Sequence, residues 1–427
     1  MNPSDQQTAD RREELRLSCL TAAIYAVVGV QLPFFPIWLN SRGLSAGEIG
    51  AILAAPPAIR ILSTLIASRR ADRTGRHAAI LVSYAAAAGA AYALLGFLHG
   101  FLPILLGVLL LVFAQGPVGI LADGIILGAA QRRSAAGRGL LHYSFVRGWG
   151  SVSILFFMLT SGPIANMLPN SALVWLLTGV SFAAAGAAFL ALRGLGGGER
   201  HERATAPAEK LARPALIATV ILAAALIQSS HAFVGAFGSL HWKAIGHDEN
   251  FVSLAWSASL VTEVAFFLMA GRWFGGESRA LTFLLAGGVA AIIRWFMMAG
   301  DPGTFGIFAA QALHGVSCAA VQLGPAYLLA QLCGSSRIAQ AQGWLAAANA
   351  ATVSAATFGS GLLYERYGES GYLGMAAMAA VGLALAAGAG FALRRPSEPS
   401  LQNDDARADL DPAIEVDHVA VGHADAP

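Results

Sequence analysis

Arg60, Asp123, Arg147, Glu263 and Arg294, together with His231 and His314, stand inside stretches of the chain that are otherwise apolar. A charge at the centre of a bilayer costs about 2.5–3.5 kcal/mol on insertion scales, so such a side chain is paired, faces a water-filled cavity, or both. Asp123 lies nine residues before Arg132, and Arg147 nine residues after Arg138. On helices rising 1.5 Å per residue, each sits about 13 Å from the intervening polar turn, at matching depth on antiparallel neighbours. Two readings are open: an ion pair that holds two helices together, or a pair that orients a polar solute on a cavity wall. Buried pairs stabilise poorly compared with apolar residues, which favours the second.

Glu263 lies nine residues before Arg272, again at mid-depth. An acid with no basic neighbour in its own span suits reversible protonation. His231, Arg294 and His314 are its candidate partners, and histidine changes charge near neutral pH. Each histidine has a plainer alternative as a hydrogen-bonding group between helices. Arg60 is expected nearer one end of its span, where it snorkels or pairs with Asp123. The run 141–151 places Tyr143 and Trp149 beside Arg147, with Gly148 and Gly150 allowing close helix approach. Arginine among aromatic rings suits an anion with an apolar body, and Trp256 is placed with the same group. Packing or anchoring at the membrane interface is the alternative for these aromatics, as for Trp38, Trp242 and Trp295.

The elements that must position these groups are membrane spans. Of 427 residues, 56% are hydrophobic and only 12% charged. Twelve apolar stretches approach or exceed the roughly 20 residues that cross a bilayer: 17–39, 47–67, 78–98, 102–129, 142–165, 172–193, 214–240, 251–273, 279–299, 303–332, 338–364 and 370–393. With the N-terminus placed in the cytoplasm, 21 of the 27 Lys and Arg fall on the cytoplasmic side, and Arg42, Lys243 and Arg366 on the other. That bias follows the positive-inside rule, so both termini are expected in the cytoplasm and the chain in an inner (plasma) membrane. The net charge of +2 implies no nucleic-acid partner. No small-residue cleavage site follows the first span, so it is expected to be kept. Cys19, Cys318 and Cys333 lie within or beside spans, with no disulfide and no metal-ligand spacing implied.

The longest internal polar stretch, 194–213, separates six spans from six and reads as a linker. The expected organisation is a cytoplasmic segment 1–16, a bundle 17–193, the linker 194–213, a bundle 214–393 and a disordered acidic tail 394–427, with residues 1–10 disordered as well. The halves echo each other, as duplicated transporter halves do. Ser68-Arg69-Arg70-Ala71-Asp72-Arg73-Thr74-Gly75-Arg76 follows the second span, and a basic turn at 271–279 follows the eighth.

The turn after the second span resembles the major facilitator signature Gly-x-x-x-Asp-Arg-x-Gly-Arg, with Ser68 in place of the first glycine. That resemblance implies an all-α membrane protein of twelve helices in two pseudo-symmetric six-helix bundles. It also gives Asp72, Arg73 and Arg76 the role of a latch between the halves, beside the plainer one of fixing topology. Further pieces are similar to the 3-phenylpropionate permease-like proton symporters, and more distantly to lactose permease and nucleoside symporters. They are Leu32-Pro33-Phe34 with Trp38-Leu39, Tyr143-x-x-x-Arg147-x-Trp149-Gly150-Ser151, Gln228-x-x-His231-Ala232, Glu263-Val264, Arg294-Trp295, Gln311-x-Leu313-His314 and Gly361-x-Leu363-Tyr364-x-x-x-Gly368. The resemblance implies a central cavity, alternating access and proton-coupled uptake by a monomer. Asp123 and Arg147, with Tyr143, Trp149, His231 and Trp256, would touch substrate, and Glu263, Arg294 and His314 would couple the proton. Sugar permeases carry a further acid just after their histidine; Ser317 and Cys318 stand there in this chain.

The function expected is import of a small organic solute such as an aromatic carboxylate, powered by the proton gradient with no cofactor. A nucleoside or sugar, or proton-driven efflux of an amphipathic compound, are the alternatives within transport. An enzyme would need a nucleophile with its base or a set of metal ligands, and a sensor an appended soluble domain; neither is legible.

Overall fold

Hydrocarbon offers no partner to backbone amides, so a spanning segment must satisfy its own hydrogen bonds, as a helix does. A computed structural model describes residues 3–138, 141–193, 213–270 and 279–394, and among them it contains helices and no strand. The helices are α1 (Pro3–Ser41), α2 (Ala46–Ala54), α3 (Pro56–Thr74), α4 (His77–Leu95), α5 (Phe101–Ala135), α6 (Tyr143–Asn166), α7 (Leu173–Leu192), α8 (Pro214–Ser229), α9 (Ser239–Ala244), α10 (Glu249–Ala270), α11 (Ala280–Ala299), α12 (Gly303–Ala312), α13 (Val321–Tyr367) and α14 (Tyr372–Arg394). Most of the linker 194–213, the tail beyond Arg394 and the basic turn 271–278 lie outside the described residues.

Among the described residues, eleven helical stretches are long and apolar enough to cross a membrane, where twelve spans are expected. The last, Gln340–Arg394, has 55 residues, about 80 Å of helix and enough for two crossings. It is interrupted by a 3₁₀ turn at Gly368–Gly371, where Gly368 takes a φ of +56°. The turn expected between spans ten and eleven is continuous helix within α13.

Three breaks matter for the site. The second span is cut in two at Ala55, because Pro56 and Pro57 at the start of α3 have no N–H to continue the ladder of α2. The seventh and tenth spans each loosen into a π turn, Val234–Gly238 and Gly315–Ala320, just after His231 and His314. Such π turns often accompany functional positions.

Residues 3–10 are helical, against the expectation of disorder. The reason is Arg133, which is 3% exposed. It bonds Glu13 Oε2 at 2.9 Å and the Asp10 carbonyl, while Arg138 stands 3.6 Å from the Asp10 carboxylate. A buried guanidinium needs such partners, and the extended α1 supplies them.

In the first half α1 packs on α6 and α7, and α4 on α5 and α7; in the second, α8 and α11 pack on α13 and α14. The halves meet through α2 against α13 and α6 against α10. Both junctions lie toward the face that carries Arg42, Lys243 and Arg366. A Cβ on Gly50 would fall 2.8 Å from Gly361 Cα, and one on Gly162 would fall 2.6 Å from Ser253 Cβ. Small residues are what permit backbones this close. Gly47 N–H donates across the first junction to Glu365 Oε2 at 3.2 Å.

Candidate functional site

Between the halves lies a cavity of about 760 Å³. Its first-half wall carries Tyr25, Gln31, Arg60, Gln115 and Asp123; its second-half wall carries Gln228, His231, Trp256, His314 and Cys318. Such a wall, mostly apolar with a few convergent polar groups, is the ordinary make-up of a ligand site.

Asp123 Oδ1 and Arg147 Nε stand 3.7 Å apart. The matching depth read from the spacing is therefore a contact between α5 and α6. The Arg147 guanidinium also lies over the Tyr25 ring, 4.0 Å from its centroid. Asp123 and Tyr25 line the cavity; Arg147 is not among the lining residues and stands behind them. Tyr143 lies beside Asp123 and Arg147. Trp149, expected in the site, is 44% exposed, meets Phe145 edge-on and does not line the cavity. The helical turn that points Arg147 at α5 turns Trp149, two residues on, to another face. Tyr25 takes the aromatic place expected of it.

Arg60 does not pair with Asp123, which is taken by Arg147. Among the described residues it forms no ion pair and no side-chain hydrogen bond, and it faces the cavity. Nearby, Gln115 Nε2 donates to Gln31 Oε1 at 2.9 Å.

The second-half wall is a connected polar chain. Arg294 is fully buried, with its guanidinium 4.6 Å from the Trp295 ring centroid. It donates to Gln311 Oε1 and, at 2.8 Å, to His314 Nδ1. Gln311 in turn donates to the Ala255 carbonyl. A guanidinium has no acceptor, so Nδ1 of His314 accepts and a neutral ring carries its proton on Nε2. That Nε2 faces Glu263 Oε2 at 3.5 Å. Glu263 Oε1 accepts from Gln322 Nε2 at 2.9 Å and lies 3.7 Å from Cys318 Sγ. His231 has the other tautomer: Nδ1 donates to the Gln228 carbonyl at 3.1 Å, leaving Nε2 to accept from Ser317 at 3.0 Å. Trp256 donates from Nε1 to Ser239 at 2.9 Å and closes the wall.

Glu263, His314 and Cys318 also bring possible metal-ligand atoms within 4.8 Å of one another, a grouping invisible in the spacing. The hydrogen bonds of His314 argue for a hydrogen-bonded set instead. The proton of His314 occupies Nε2, the atom a metal would need, and Arg294 blocks its transfer to Nδ1.

At the basic face, Asp72 pairs with His77 at 3.1 Å, and Gly75 ends α3 with a φ of +66°. Arg73 and Arg76 are exposed. The left-handed cap is why a glycine suits that position in the signature.

Sequence reading missed Tyr25, Gln31, Gln115 and Gln322, and it named Gln228 and Gln311 only as positions of the resemblance, without a place in the site. The glutamines had a signal, since a buried amide without a partner is costly in hydrocarbon and is kept for bonding. Tyr25 had none; only the packing of α1 on α6 shows it.

The model of the MFS_1 like family matches residues 15–371. A probable 3-phenylpropionic acid transporter of Escherichia coli (strain K12) is 26% identical over 363 residues, which cover 82% of this chain and 91% of that protein. Two crystal structures of the nucleoside transporter NupG superpose with TM-scores of 0.71 and 0.73 at 16% identity, covering 89–90% of this chain and 98–100% of theirs. A bacterial homologue of the human lysosomal transporter Spinster superposes with a TM-score of 0.66 at 12% identity, over 88% of this chain and 96% of its own. At these identities the structural likenesses speak to the fold.

Proposed function

The chain belongs to the MFS_1 like family and is a transporter of the major facilitator type, not an enzyme; from that premise we propose that it carries a small organic acid, of the aromatic carboxylate kind, together with a proton by alternating access. The observation that carries this reading is the chain of contacts from buried Arg294 through His314 to Glu263 beside the cavity. Glu263 is the proton carrier. Ionised, it is held by the Nε2–H of His314 and the amide of Gln322; protonated, it gives up the charge that those groups serve and loosens the wall. The name of the Escherichia coli relative supports the substrate class.

In this reading residues 17–193 and 214–393 are the two moving bundles, joined by 194–213. Asp72, Arg73 and Arg76 latch them at the basic face. The protein works as a monomer in an inner membrane with both termini in the cytoplasm, and it needs no cofactor beyond the proton gradient. The structure has its halves joined at the opposite face through α2 with α13 and α6 with α10.

The test is uptake of labelled 3-phenylpropionate into vesicles with acid outside. Accumulation that depends on the gradient and is competed by other aromatic acids is expected. Inserted protein that accumulates none of them under any gradient rejects the reading and moves the search to nucleosides, sugars and exported compounds.

A further inference from the structure

Arg147 is the residue one would choose to hold a substrate anion, but its charge is already answered by Asp123 and its face by the Tyr25 ring. Among the described residues that line the cavity, the unspent cation is Arg60. Its guanidinium has no partner among the described residues, and it lies on the wall shared by the central cavity and a second chamber of about 630 Å³. Gln31 lies on the same shared wall, and its carboxamide oxygen is taken by Gln115. The amide N–H₂ of Gln31 has no partner among the described residues and lies on the wall that carries Arg60.

The rest of the chamber is apolar. On one side stand Val108, Leu111 and Val112 of α5. On the other, α13 presents Gly343, Ala347 and Ala350, spaced i, i+4 and i+7 along one helical face. These small residues leave the space open: a Cβ built on Gly343 meets no atom within 4 Å. The Arg60 guanidinium and the Gln31 N–H₂ at the mouth, with an apolar room behind them, fit an anionic head on an apolar body.

We infer that this chamber between α3, α5 and α13 is the substrate site, with Arg60 binding the carboxylate and the apolar room taking the ring. The inference rests on the proposed transport of an aromatic acid and relocates its binding away from Arg147. A ligand held there touches α3 and α5 of one half and α13 of the other. Its occupancy therefore senses the distance between the halves, as a transported solute must.

Binding of labelled 3-phenylpropionate to the purified full chain tests this, with 3-phenylpropionamide as a competitor of the same shape and no charge. Wild type should prefer the acid. Arg60→Gln breaks no described ion pair and should lower affinity for the acid at least about tenfold while leaving the amide unchanged. Arg60→Lys should restore part of the preference. Gly343→Leu puts its side chain into open space and should weaken acid and amide alike. Arg60→Gln protein that binds the acid as wild type does, while Arg147→Gln loses it, overturns this inference alone. So does Gly343→Leu protein with wild-type affinity for both compounds. Wild type that binds neither compound overturns it together with the function on which it rests.

Discussion

Asp123 and Arg147 meet at 3.7 Å across α5 and α6, and the ring of Tyr25 on α1 covers the same guanidinium at 4.0 Å. One arginine thus ties three helices of the first half together at the cavity wall. Both members of the pair keep about a third of their side-chain surface exposed (33% and 32%). The pair therefore sits between the weak exposed class and the costly buried one.

A double-mutant cycle between Asp123→Asn and Arg147→Gln should give a coupling of about 1 kcal/mol in thermal unfolding. Tyr25→Phe should be nearly neutral, and Tyr25→Ala should cost about 0.5–2 kcal/mol through loss of the cation–π contact. Additive single losses would mean that the ion pair contributes no coupling to the fold.

Glu263→Gln keeps the hydrogen bond from Gln322 and removes the titrating group. Proteoliposomes of this variant should exchange internal for external substrate and fail to accumulate it against a gradient. Accumulation at the wild-type level would remove Glu263 from the coupling role.

The junction of α2 with α13 depends on Gly50 and Gly361, whose backbones leave no room for a side chain. Gly361→Leu should push the two helices apart at the face of Arg42, Lys243 and Arg366. Spin labels on α2 and α13 should show a longer distance in membranes. An unchanged distance distribution would show that this contact does not hold the face closed.

Asp248 precedes α10 and accepts the Phe251 N–H at 2.9 Å, with a second contact to the Asn250 amide. The Phe251 amide, ahead of the Asn250 bond, holds this carboxyl below its ordinary pKa. A depressed folded-state pKa gives stability that is present above the unfolded value of about 3.9 and lost as pH falls below it. Asp248→Ala should cost about 1 kcal/mol at neutral pH, and the difference from wild type should shrink toward pH 3. A pH-independent difference would assign the loss to something other than the ionised cap.

Much of the molecule was legible in one dimension. A bilayer sorts residues by depth, and depth is written in hydropathy and in the placing of Lys and Arg. Most of the spans, the bias of basic residues in the sequence and the contact of Asp123 with Arg147 follow from that single coordinate, while the turn expected between spans ten and eleven does not. The signature around Asp72 and Gly75 was likewise local, because a helix end has local chemistry. Trp149 shows where this reading fails: its place in the span does not say which way the ring points.

Direction around a helix axis and the pairing of distant helices belong to tertiary structure. Tyr25 reaches Arg147, and Arg294 reaches His314, only because α1 lies on α6 and α11 packs against the π turn that follows α12. The breaks at Pro56 and after His231 and His314 set where the neighbouring side chains point. Arg147 is spent and Arg60 is free by that geometry alone. The chain sets the depth of each charge through the cost of burying it in hydrocarbon, while packing decides which charges are neutralised and which are left facing the cavity.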